Sequence, residues 1–154
     1  MNALNGLQAA FDAGKVQLQP GRLHPEIQVL LDHPNGIPRF TYAQVQNGKV
    51  QAIALMVKVD AVHGIPCFQI GYAVAENQRR QGLGKQILQK AISELIYGMG
   101  HTPLKEFYLE VIVSTENTAS NKIAQQLISQ APKLCNDEFT NKPVYQYLRK
   151  IGYD

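Results

Sequence analysis

Apolar positions change their period several times along the chain. Leu4, Leu7, Ala10 and Phe11 fall at helical spacing, and Gly14 is a stop signal. Lys15–Gln19 reads as a short strand ended by Pro20-Gly21. A second short helix is predicted from Pro25, a residue suited to a first helical position. It would carry Ile27, Leu30 and Leu31 and break at His33-Pro34-Asn35-Gly36. From Arg39 to Lys58 two apolar runs flank Asn47-Gly48, which predicts a β-hairpin. Phe68–Val74 predicts a third strand. Leu83, Ile87, Leu88, Ala91, Ile92 and Leu95 then draw one apolar stripe along a helix over 83–97, ended by Gly98 and Gly100. Phe107–Val113 is a strand rich in β-branched residues. Ala119, Ile123, Ala124, Leu127 and Ile128 mark a further helix, with Pro132 after it. Val144–Ile151 reads as a last strand, with a helix as the alternative.

Strand 68–74, helix 83–97 and strand 107–113 make a crossover unit long enough to join two parallel strands. A mixed α/β sheet with helices on both faces follows. The 154 residues are 45% hydrophobic and 18% charged, which suits one globular domain over 1–154. Within it we expect a helical N-terminal part over 1–37 and a core over 38–151. The net charge of +3 permits an anionic ligand without implying nucleic acid. The longest apolar run, Ala52–Val57, falls far short of the roughly 20 residues of a membrane span. Cys67 and Cys135 are too few for a disulfide framework and lack C-x-x-C spacing. With no basic and apolar leader visible, a cytoplasmic protein with reduced thiols is expected, and no membrane partner.

The chemistry concentrates in Gly71–Lys90, GYAVAENQRRQGLGKQILQK. A strand runs into a turn with two glycines, and a helix opens there. Unpaired amides of its first turn, the positive end of its dipole, and Arg79, Arg80 and Lys85 together suit a phosphate or pyrophosphate. A Walker loop would need a Gly at 79 and Ser or Thr at 86, where Arg79 and Gln86 stand. A dinucleotide fingerprint would need a third Gly at 87, where Ile87 stands. What remains is Arg-x-x-Gly-x-Gly from Arg79 to Gly84.

That segment resembles the acetyl-CoA-binding motif of the GNAT superfamily of N-acetyltransferases, (Gln/Arg)-x-x-Gly-x-(Gly/Ala). Leu109-Glu110-Val111 and Asn117-Thr118-Ala119-Ser120 resemble the family's next motif, and the Asn-x-x-Ser form is similar to the ribosomal-protein N-acetyltransferase branch. The resemblance covers about 38–151 and matches the first 35 residues less well, the family's opening strand being short or missing. It implies a GNAT-like α/β fold: a single mixed, mostly antiparallel sheet with a central parallel splayed strand pair and flanking helices. It implies acetyl-CoA as cosubstrate, with no metal. Backbone groups of Tyr72, Ala73 and Val74 would hold the pantetheine and acetyl oxygen. Arg79, Arg80 and the amides of Gln81, Gly82, Leu83, Gly84 and Lys85 would hold the pyrophosphate, and Asn117 and Ser120 the pantetheine or sulfur.

Where many members carry a Tyr that protonates the leaving thiolate, this chain has Ala124. Ser120, one helical turn from Asn117, is the substitute acid, with Tyr145 and Tyr147 as further candidates. Glu110 matches the base of some members, and Gln69 stands where several have a Glu. The implied activity is acetyl transfer to an unidentified amine (small molecule, peptide or protein) by direct attack in a ternary complex. A homodimer is compatible with this reading. One alternative is a non-catalytic CoA-binding or regulatory module. Another is a nucleic-acid-binding domain using Arg79, Arg80, Lys85 and Lys90, disfavoured because aromatic and basic residues do not interleave. His24, His33, His63 and His101 show no metal-ligand spacing.

Overall fold

The computed structural model describes residues 2–154; Met1, where the expected N-terminal part begins, lies outside the described residues. In chain order the elements are α1 (Asn2–Asp12), β1 (Gln19–Pro20), β2 (Ile27–Asp32), β3 (Arg39–Gln46), β4 (Lys49–Val62), β5 (Ile65–Val74), α2 (Leu83–Met99), β6 (Glu106–Ser114), α3 (Thr118–Leu127), β7 (Lys133–Asn136) and β8 (Pro143–Gly152). Hydrogen bonding orders the strands β1-β2-β3-β4-β5-β6-β8-β7 in one open sheet. Its β5–β6 pair is parallel, and β1–β2, β2–β3, β3–β4, β6–β8 and β7–β8 are antiparallel. This is the mixed, mostly antiparallel α/β architecture expected. Among the described residues no helix is long and apolar enough to cross a membrane.

Two expectations for the N-terminal part are corrected. The helix predicted from Pro25 is the strand β2, so residues 1–37 are not a helical part. Ile27, Leu30 and Leu31 fit a helix by spacing, but Ile27, Val29 and Leu31 also alternate with Gln28 and Asp32, only Leu30 breaking the period. Pairing with β3 decides, from Ile27↔Gln44 to Asp32↔Arg39. An ion pair of 2.6 Å between Arg39 and Asp32 closes that ladder, and His33–Gly36 becomes the connection. The predicted strand over Lys15–Gln19 shrinks to Gln19–Pro20.

The chain folds as two compact units. The first holds the described residues up to Val57 together with Gly71–Pro103, and the second holds Lys58–Ile70 with Leu104–Asp154. In the first unit Leu4 and Leu7 of α1 pack with Ala43, Val50 and Ile53. The Asn47-Gly48 turn takes positive φ at both residues, 53° and 74°, which gives a two-residue hairpin the twist of its strands. In the second unit, His63-Gly64 does the same at 51° and 76°, a turn that sequence reading missed. There β6 buries Phe107, Leu109, Val111 and Val113 on one face, and Phe107 meets Phe68 edge to face at 5.6 Å. The parallel ladder runs from Cys67↔Tyr108 to Gln69↔Glu110.

Candidate active site

In the first unit, β5 leads through Ala75 and a single 3-10 turn, Glu76–Gln78, into the start of α2. The Ala75 amide donates to the Gln51 carbonyl at 2.8 Å, fixing where the chain leaves the sheet. Reversal follows at Arg80 (φ 66°) and Gly82 (φ 75°, ψ 9°), and Leu83 begins the helix. Among the described residues no side chain caps α2. Gln86 donates back to Gly82 at 3.1 Å, so the amides of Leu83, Gly84 and Lys85 precede the first intrahelical bond. Arg79, Arg80, Gln81, Gly82 and Lys85 are exposed around them. Uncapped amides, the positive end of a helix dipole and three exposed cations are thus gathered at one turn. Lys90 is set apart from these cations by its ion pair with Glu26 at 3.2 Å.

The two glycines of the turn do different work. A Cβ on Gly82 would meet only the Gln86 amide nitrogen at 4.0 Å, so this position is left open to the outside and its demand is the positive φ. A Cβ on Gly84 would stand 2.9 Å from the Tyr72 ring and 3.6 Å from Val74. Gly84 therefore makes room for β5 side chains of its own unit.

In the second unit, Glu110 is buried, 8% exposed, on the β6 face opposite the apolar one. Gln69 lies directly across the parallel ladder from Glu110, and Gln146 lies across from Ile112 two residues on. The Gln69 amide donates to Glu110 Oε1 at 2.9 Å and the Gln146 amide to Oε2 at 2.6 Å. These three side chains line a cleft of ≈ 690 Å³ whose walls include Asp60, Cys135, Asp137 and Glu138. Backbone N–H groups of Thr140 and Phe139 hold the Asp137 carboxyl below its usual range. Among the described residues no Lys, Arg or His lines the cleft.

Asn117 caps α3, its Oδ1 accepting the Ser120 amide at 3.1 Å, so the two predicted residues are brought together at one helix end. Asn121, one position further, is buried. Its amide donates to the Ser114 and Asn117 carbonyls, and its Oδ1 accepts from the fully buried Tyr147 hydroxyl at 2.6 Å. Tyr147 is a core residue. Because Tyr147 pairs with Val111, α3 covers the face of β6 that Glu110 does not share. Glu110 and Ser120 thus stand on opposite faces of the sheet. Ala124 is 1% exposed under α3.

Sequence reading missed Gln146, Asn121 and Glu94. Glu94 is 7% exposed and accepts the amides of Arg22, Leu23 and His24 at 2.7–2.8 Å. Its signal was present, since it sits three residues after Ala91 and seven after Ile87, on the apolar stripe of α2. Among the described residues no three His, Cys, Asp or Glu side chains are placed to hold a metal. Burial, with the charge of Glu110, pushes the Cys67 thiol up to about 11. A maleimide at pH 7.5 is therefore expected to label half-buried Cys135 and to reach Cys67 only after unfolding, as mass spectrometry would show. Two labels on the native protein would contradict the burial of Cys67.

Residues 8–128 match the family described as acetyltransferase (GNAT). The match starts well before residue 38, where the resemblance was expected to begin, and ends short of 151. No curated protein matches the chain in sequence. Among solved structures it is similar to an acetyltransferase of the GNAT family from Streptococcus pneumoniae, at 19% identity and TM-score 0.56, over 74% of this chain and 67% of that one. It is similar to RimL, a ribosomal-protein α-N-acetyltransferase in complex with coenzyme A, at 19% and 0.53, over 75% and 64%. A spermidine N-acetyltransferase chimera from Vibrio cholerae and hSSAT matches at 16% and 0.52, over 76% and 68%. The chain thus spans about two thirds of the length of these structures, and the likeness is one of fold.

Proposed function

Because the chain belongs to the GNAT acetyltransferase family, as the match over residues 8–128 establishes, we propose that it transfers the acetyl group of acetyl-CoA to an amine by direct attack in a ternary complex. The observation that carries the reading is the uncapped start of α2 behind the Arg79–Gly82 turn. Its amides at Leu83–Lys85 and the cations Arg79, Arg80 and Lys85 have the chemistry to hold a pyrophosphate. Backbone of Tyr72–Val74 would align the acyl carbonyl. When bound, acetyl-CoA supplies an activated acyl group. The acceptor must attack as a free amine, and Glu110 would take its proton. Carboxylates in the cleft that Glu110 lines would attract the acceptor as an ammonium. Ser120 would protonate the departing thiolate, and Asn117 would orient the Ser120 end of α3. The amine nitrogen gives up a proton and the thiolate sulfur gains one, so two different side chains serve as base and acid. Reduced thiols and a cytoplasmic setting belong to the same reading.

A series at Gly82 tests it. Gly82→Asn keeps positive φ at small cost, because Asn tolerates that conformation, while filling open space where the pyrophosphate would lie. We expect acetyl-CoA affinity by calorimetry to fall at least about tenfold, equivalent to about 1.4 kcal/mol, with little change in Tm. Gly82→Val adds backbone strain of about 1–3 kcal/mol and lowers both. Full acetyl-CoA affinity in a folded Gly82→Asn protein would remove this site from the proposal.

A further inference from the structure

We infer that Gln146, together with Gln69, is a positioning residue that fixes the Glu110 carboxylate toward the cleft, an inference resting on the base role proposed for Glu110. Three adjacent strands place the three side chains on one face: Gln69 on β5, Glu110 on β6 and Gln146 on β8. Each carboxylate oxygen accepts one amide, Oε1 from Gln69 at 2.9 Å and Oε2 from Gln146 at 2.6 Å. A carboxylate tied at both oxygens cannot rotate about its last bond without breaking one of them. Ionised, its two oxygens offer about four acceptor directions, so about two remain for an incoming N–H.

The choice of donor matters. A primary amide neither gives nor takes a proton near neutral pH, and it leaves the carboxylate charge uncompensated. An Arg or Lys in the same place would neutralise it. The clamp therefore orients the base without competing for the amine proton. Nor does burial alone demand two protein donors here. Glu110 borders a cleft of ≈ 690 Å³ with polar walls, where water could satisfy it. Catalytic geometry tolerates little looseness, and a misplacement of about 1 Å can cost about 10²-fold in rate.

The test compares Gln146→Met, Glu110→Gln and the exchange E110Q/Q146E, assayed by thiol release from acetyl-CoA with a panel of primary amines. Gln146→Met keeps the volume and removes the donor. We expect its kcat to fall at least about tenfold, with KM for acetyl-CoA within about twofold of wild type. The exchange keeps an amide bonded to a carboxylate, so Tm returns close to wild type while kcat stays at the Glu110→Gln level. Turnover that recovered with stability would mean that a carboxylate at either position serves equally, and that recovery would overturn the clamp. So would full kcat in Gln146→Met beside a crippled Glu110→Gln. Full kcat in Glu110→Gln would instead overturn the base role and the clamp with it. A readout independent of turnover uses protein labelled with ¹⁵N in glutamine side chains. The Gln69 and Gln146 amide resonances should move in Glu110→Ala and in no variant distant from the cleft; unmoved resonances would mean the bonds do not form in solution.

Discussion

Glu110→Ala should lower kcat by about 10²–10⁴-fold, the usual worth of a positioned general base, with acetyl-CoA affinity unchanged. Glu110 is the buried carboxylate of the cleft, bonded at both oxygens and set on the strand face away from α3. An amine reaches the acyl carbonyl only after losing its proton, so removal of the acceptor affects the transition state more than the bound ground state. Truncation also strips the Gln69 and Gln146 amides of their partner. In a dry interior each lost donor would cost about 1–3 kcal/mol; beside a polar cleft, water covers part of that. Turnover must therefore be measured on folded enzyme, with Tm recorded in parallel. Stopped-flow single turnover would separate the chemical step from product release. A loss smaller than about threefold would mean that water or another group takes the proton.

The elements legible in the sequence are those whose signal is local. Asn47-Gly48 specifies its turn through backbone conformation alone, and the stripe from Leu83 to Leu95 specifies a helix whichever sheet it meets. The β5–α2 turn was legible for the same reason, since Arg79, Gly82 and Gly84 lie close together in sequence and in space. Residues 27–32 were misread because IQVLL satisfies both periods, and only pairing with β3 chooses between them. The division of labour between Gly82 and Gly84 was hidden as well. Both were expected to offer their amides to the pyrophosphate, and nothing local showed that the ring Gly84 accommodates belongs to Tyr72, twelve residues earlier. Gln146 shows the limit most clearly. Within VYQYLRKI it is a polar residue between two tyrosines on a strand, and nothing local marks it. Its meaning comes from a register that sets it diagonally across from Glu110, thirty-six positions away in sequence.

Glu94→Leu should destabilise the protein by at least about 3 kcal/mol, since each of three amides left without its acceptor costs about 1–3 kcal/mol. The Glu94 carboxylate gathers the amides of Arg22 at 2.8 Å, Leu23 at 2.7 Å and His24 at 2.7 Å, all in the first unit. It is 7% exposed, so these bonds are made with little help from water. The loop depends on that anchor, because a Cβ on Gly21 would stand 2.5 Å from the His24 carbonyl and 3.0 Å from Glu94 Oε2. Leucine matches the apolar stripe of α2 and adds no strain to the helix, yet it leaves three backbone donors facing a hydrocarbon side chain. For a chain of this size each kcal/mol shifts Tm by about 2–4 °C, so a drop of at least about 6 °C is expected. Glu94→Gln retains one carbonyl oxygen and gives up the charge, so it should fall between wild type and Glu94→Leu. Hydrogen exchange adds the local readout: amides 22–24 lose protection first in Glu94→Leu, while those of β6 and β8 keep theirs in proportion to global stability. A Glu94→Leu protein that melts within about 2 °C of wild type, with amides 22–24 still protected, would show that the loop is held by its own turn and not by the helix beneath it.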